Sequence, residues 1–261
     1  MILKLMKYDF KRMTAIVKWF YPIAIFLAVV SRLLALIENV QLVTIINGIV
    51  QGVFYGVIVN ILINTIIHVI RNVIVYFFKD QSYLTHTLPV SKKELFTSKY
   101  LSALLFMLLS VVVIIASLLI LYCKTPFGDM IVKTLEVAIT NYDMSAGWLV
   151  TLFLGVIIFQ VLAVTSMGLT AMIMGYYHNR KKPLMSILYF LLFDGILNTL
   201  LLVLMVLFAA ITGDLTGLFA NQMPQRVFIA VMVLALVINI ACSIFFFFFG
   251  EKKFLRGVNV D

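Results

Sequence analysis

Charge is scarce in this sequence, and its scarcity excludes most soluble folds. Only 12% of the 261 residues are charged and 64% are hydrophobic. An ordinary globular domain is about 25% charged and roughly 45–50% apolar. A soluble fold of this length could not hide so much apolar surface, so a polytopic membrane protein is the expected class. Cysteine is nearly absent. Cys123 and Cys242 have no metal-ligand spacing and fall in separate apolar runs, where they read as small buried apolar residues. Catalytic signatures are missing too: there is no G-x-x-x-x-G-K-[ST] phosphate loop, no G-x-G-x-x-G, no H-E-x-x-H and no G-x-S-x-G. The polar segments are too short to fold a catalytic domain, so no catalytic, cofactor or metal residue is expected here, and the chain does not read as an enzyme. A secretory signal is not expected either. The apolar run after the basic N-terminus exceeds the roughly 7–15-residue signal core, and no A-x-A site follows.

What charge there is has a strong bias. The net charge is +9, and the basic residues gather at the ends of apolar runs without a basic stripe interleaved with aromatics. That pattern argues for orientation in a bilayer and against nucleic acid. With both termini in the cytoplasm, all but Arg32, Lys124, Lys133 and Arg226 of the 20 Lys and Arg residues lie inside. This is a pronounced positive-inside distribution, and six spans bring both ends to the same side.

The fold expected is therefore an all-α polytopic membrane protein: a single transmembrane domain over 1–261, with six transmembrane helices preceded by an N-terminal amphipathic interfacial helix. Met1 to Lys18 forms that helix. Ile2, Met6, Phe10, Met13 and Val17 share one arc, widened by Leu3 and Ile16, while Lys4, Lys7, Lys11 and Lys18 lie opposite. Asp9 intrudes on the apolar side, within reach of Arg12. The spans fall at approximately 19–37, 43–70, 101–123, 148–176, 184–212 and 227–249, by the rule that about 20 apolar residues cross a bilayer. The second helix continues past Arg71. Trp19, Tyr21, Trp148 and Tyr177 sit where interfacial aromatics belong. A short helix is expected between Lys124 and Gly147, from the spacing of Met130, Ile131, Leu135 and Ala138.

Two sets of polar residues interrupt the spans. Thr44, Gly48, Gly52, Gly56, Asn60, Asn64 and His68 recur every fourth residue of the second span. The glycines form a small-residue ridge for close helix approach, and the amides and imidazole continue it as interhelical glue or as the lining of a dimer interface or pathway. One His without a nearby carboxylate is not a metal site. Asp194 and Asn198, one turn apart in the fifth span, suit a structural hydrogen-bond pair. The same aspartate is what a proton-coupled transporter would need.

The longest polar interval expected in the cytoplasm is the central loop, 79–100. Ser91-Lys92-Lys93-Glu94 is a capping box, with Val90 and Leu95 at the staple positions, so a helix should begin at Lys92 and run into the third span. Pro89 disfavours helix at Leu88. Lys79 to Leu88 remains as a separate short element presenting Tyr83, Leu84, His86 and Leu88, a partner surface on the strength of three apolar side chains in a solvated loop.

The order of parts resembles the permease subunits of ABC-2 type ABC transporters, in the short six-span form of Gram-positive bacteria. LMKYDFKR at Leu5 to Arg12 looks like the N-terminus of that group, and SYLTHTLPVSKK at Ser82 to Lys93 looks like its loop segment. The resemblance implies that Met1 to Lys18 is a connecting helix. It implies also that Lys79 to Leu88 is the coupling helix, docking through Tyr83, Leu84, His86 and Leu88 on an ATPase subunit. ATP and Mg would be bound by that partner, and a second permease copy or a paralogue would complete a dimer in the bacterial plasma membrane. The cargo class implied is an amphipathic peptide, a drug or a lipid-like molecule, moved outward. The last external loop, Gly213 to Arg226, is short beside the elaborations of larger members, which puts a gating role there in doubt. A proton-coupled secondary transporter using Asp194 and a non-transporting membrane scaffold or sensor are the competing readings.

Overall fold

A computed structural model describes residues 2–37, 40–78, 90–123, 125–142, 145–178, 181–213 and 225–256. Among these residues there are eight helices and no strand. They are α1 (Ile2–Val17), α2 (Phe20–Leu34), α3 (Gln41–Phe78), α4 (Lys92–Tyr122), α5 (Pro126–Tyr142), α6 (Ala146–Tyr176), α7 (Lys182–Thr212) and α8 (Gln225–Leu255).

Local chemistry sets several of the helix ends. At α4 the capping box forms: Glu94 N–H donates to Ser91 Oγ at 3.2 Å, and Ser91 N–H donates to Glu94 Oε2 at 3.3 Å. Ser145 caps α6 by accepting from Trp148 N–H at 3.4 Å. Pro183 lies in the first turn of α7, where a missing N–H is tolerated, and Gly213 ends that helix at φ 76°.

Helices α3, α4, α6, α7 and α8 are each long and apolar enough to cross a membrane. Helix α2 is not. Its 15 residues span about 22 Å at 1.5 Å per residue, short of a hydrocarbon core about 30 Å thick. It meets the length and composition requirement only together with α1, from which it is bent by 46°. Pro22 cannot donate to the Lys18 carbonyl, which favours a kink or break at this point. Among the described residues, five to six helices are thus suited by length and composition to span a membrane.

The chain divides into two compact units, Met1–Val132 and Lys133–Asp261, with the boundary inside α5. In the first unit, α1 packs along α4 and α3, and α2 packs against α3 and α4. Helix α4 turns one stripe inward: Leu95, Ser98, Lys99, Ser102, Phe106, Ser110, Ile114, Ser117 and Leu121. Its serines are small enough for close approach. They satisfy their hydroxyls on carbonyls of their own helix, as Ser102 does on Ser98 O at 2.7 Å. Helix α2 contributes Ala24, Ala28 and Ser31 as its buried side. A hydroxyl chain links the three helices: Tyr21 to Ser110 at 2.7 Å, and Thr65 to Ser110 at 2.9 Å. Ser31 adds a 2.6 Å bond to Asn47 Oδ1, and the Tyr55 and Tyr122 hydroxyls join α3 to α4.

In the second unit, α6 lies between α7 and α8. Met167, Leu197 and Phe246 form its core, surrounded by Val164, Phe190, Phe193, Leu201, Ile238 and Cys242. The rings of Phe193 and Phe246 are 4.9 Å apart. A second cluster joins Leu149 and Leu152 to Leu135, Phe228 and Ile229. Helix α7 starts against the end of α6 so closely that a Cβ on Gly175 would lie 2.6 Å from Ser186 Cα. Thr170 Oγ1 donates to the Phe246 carbonyl at 2.8 Å and ties α6 to α8. The expectation of two buried cysteines fails at Cys123, which is exposed at the end of α4 where the chain leaves the helix; Cys242 is half-buried.

Candidate functional site

The apolar face of α1 carries Met13 and Val17 into the first unit's core, and Asp9, one turn earlier, goes in with them at 7% exposure. A buried carboxylate is costly unless paired. Arg12, three residues on, supplies one partner: its Nη2 donates to Asp9 Oδ1 at 2.8 Å, the pairing expected from the spacing. The same nitrogen donates to Asn72 Oδ1 of α3 at 2.5 Å. The other partner is Lys99 of α4, whose Nζ reaches Asp9 Oδ1 at 3.1 Å and lies 5.8 Å from the centroid of the Phe77 ring. Lys99 is 4% exposed and Asn72 2%. Three helices therefore meet on one carboxylate oxygen and the guanidinium that shares it.

The cluster sits beside the two ends of the central segment. Helix α3 runs unbroken to Phe78 and α4 begins at Lys92. Phe77, Phe78, Phe96 and Tyr100, which flank that segment, are all buried. Both flanks are thus tied to α1, one through Asn72 and Arg12, the other through Lys99 and Asp9. Tyr83, Leu84, His86 and Leu88 lie outside the described residues. From the sequence Lys99 reads as one more cytoplasmic charge, and its role beside Asp9 emerges in the fold. The signal was present. Once the capping box starts the helix at Lys92, Lys99 falls on the stripe of Leu95, Ser102 and Phe106, and the intruding Asp9 calls for a cation from another helix.

The polar ridge of α3 lies on the face opposite Phe54, Ile58, Ile61, Thr65 and Val69, which are buried. Thr44, Gly48, Gly52, Gly56 and Asn60 are exposed, and Asn64 and His68 partly so. A Cβ added to Gly48, Gly52 or Gly56 would meet nothing within 4 Å. Asn64 Nδ2 donates to Asn60 Oδ1 at 2.6 Å and to the Asn60 carbonyl at 2.9 Å. In α7, Asn198 Nδ2 donates to Asp194 Oδ2 at 3.0 Å. Among the described residues no three His, Cys, Asp or Glu side chains gather as metal ligands.

Among the described residues the arrangement is a set of mutually bonded side chains, Asp9, Arg12, Asn72 and Lys99. What it can do is mechanical: a buried ion cluster holds the middle of α1 against the last turns of α3 and the first turns of α4, and an open ridge offers a second surface for contact. No protein-family model, curated protein or solved structure matches the chain.

Proposed function

We propose that the chain is the permease subunit of an ABC-2 type exporter, without enzymatic activity of its own. In this reading α1 lies in the interface of a bacterial plasma membrane, both termini are cytoplasmic, and the segment Lys79 to Leu88 docks on a separate ATPase subunit that binds ATP and Mg. A second copy or a paralogue pairs with it, and the cargo is an amphipathic peptide, a drug or a lipid-like molecule. The observation that supports it best is the Asp9–Arg12–Asn72–Lys99 cluster. A push on the central segment would reach α3 and α4 at their ends, and the cluster would carry it to α1 with little slack, because buried, mutually bonded groups resist displacement. The open ridge of α3 supports pairing with another helix, since polar groups at bilayer depth need cover.

The test is co-purification with an ATPase encoded alongside, followed by its hydrolysis rate. Leu84→Asp and Leu88→Asp should abolish assembly and stimulated hydrolysis. Retention of both with either variant would refute the docking assignment. The competing proton-driven reading rests on Asp194, and it predicts the opposite pattern: flux without nucleotide, lost in Asp194→Asn.

A further inference from the structure

Helices α1 and α4 leave an open groove of about 500 Å³ between them, lined by Leu3, Met6, Phe10, Leu105, Leu109 and their neighbours. Its walls are apolar except at two places. One is Ser102, whose hydroxyl is already committed to the carbonyls of Ser98 at 2.7 Å and Lys99 at 3.0 Å. The other is Lys7, which is exposed, lines the groove, and has no ion pair among the described residues. Lys4 and Lys11 stand one turn away on either side, on the same face of α1. A wall without free donors or acceptors takes hydrocarbon, and a basic stripe at its edge takes an anion. Depth agrees with this. From Ser102 to Val112 the α4 wall runs about 15 Å, half of a hydrocarbon core about 30 Å thick, which is the reach of one leaflet.

We propose that this groove is a binding site for an anionic phospholipid, with an acyl chain against Leu105, Leu109 and Phe10 and the phosphate on Lys7. Solvent water is a poor occupant, because the lining cannot hydrogen-bond it. A neutral amphiphile would leave the lysine stripe unmatched. The bound lipid would fill the gap beside the Asp9–Lys99 cluster and keep α1 seated on α4. The proposal rests on the interfacial placement of α1 but not on the ATPase.

Native mass spectrometry of the full chain, offered equal amounts of phosphatidylglycerol and phosphatidylcholine, tests it. Wild type should retain phosphatidylglycerol about fivefold over phosphatidylcholine, the discrimination expected of one lysine near a headgroup. Lys7→Gln should bring the two lipids to parity, while Lys253→Gln, far along the sequence, should leave the preference intact. Leu109→Trp, which fills the groove, should lose both lipids. Leu109→Ala, which enlarges it, should keep them and so distinguish filling from misfolding. Equal retention by wild type, an unchanged preference in Lys7→Gln, or undiminished lipid in Leu109→Trp would overturn the assignment. An amphipathic peptide or drug displacing phosphatidylcholine as readily as phosphatidylglycerol would also do so, and would mark the groove as a cargo site. ATPase pairing is scored separately on the Leu84 and Leu88 variants, so failure of one idea leaves the other standing.

Discussion

The two units of this chain are held together by different physics. Residues 2–132 are joined by directional bonds: the Asp9 cluster across α1, α3 and α4, the Tyr21–Ser110–Thr65 chain, and Ser31 to Asn47. The described residues of the second unit show phenylalanine rings, a Met167–Leu197–Phe246 core and the close seating of Gly175 on Ser186, beside the Thr170–Phe246 hydrogen bond. Both units bury amide atoms for which no hydrogen-bond partner is found among the described residues, Asn72 Nδ2 in the first and Asn239 Nδ2 and Oδ1 in the second. Burial follows the same division. In the most apolar stretches of α3 and α4, 28% of residues are buried, against 17% in α6 and 11% in α7 and α8. In lipid the hydrophobic effect does not drive helices together, so a unit is held either by polar bonds or by close packing. Bonds specify angles and distances and suit a part that must move as one body. Packing tolerates sliding.

The comparison can be broken most severely at Lys99. Lys99→Met leaves Asp9 buried without one of its cations, and such a loss costs about 3–5 kcal/mol. Thermal unfolding in detergent should show a large drop, and Asp9→Leu combined with Lys99→Met should recover most of it. A single mutant as stable as wild type would mean that the cluster does not hold the unit. Next comes Gly175→Leu in the second unit, where overpacking costs about 1–3 kcal/mol. Its signature should be a lower melting temperature with unchanged behaviour of the Asp9 cluster variants. Ser110→Ala removes two interhelical hydrogen bonds and should cost roughly 1.2 kcal/mol, at a mean of about 0.6 for each in a membrane. A loss above that of Gly175→Leu would reverse the ranking of bonds and packing. Smallest of all is Gly52→Leu, which meets open space and should change folding stability by less than about 0.5 kcal/mol. Crosslinking should then show reduced pairing with a second chain if the α3 ridge is an interface.

Sequence reasoning reached what depends on neighbours in the chain. The capping box at Ser91, the Asp9–Arg12 pair, the Asn198–Asp194 bond and the helix between Lys124 and Gly147 all follow from spacings of three or four residues on a helix. The first span shows the limit. The sequence separates it from α1 near Lys18, as the structure does, but reads it from Trp19 to Ile37 where the helix runs only from Phe20 to Leu34. Cys123 was misjudged for a related reason: apolar composition does not say where the last turn ends.

The chain by itself determined that it is helical, that five or six of its helices are long and apolar enough to cross a membrane, and which residues cap them. These outcomes are local, because backbone groups in an apolar solvent must bond within their own helix and the side-chain period is set by that helix. Only the tertiary structure decided that Lys99 serves Asp9, that the α3 glycines face away from their unit's core, and that one unit is bonded while the other is packed. Those depend on which helix faces lie against each other. An apolar face in a bilayer can meet lipid or protein at similar cost, so its partner is chosen by the few polar and small residues whose matching requires the whole fold.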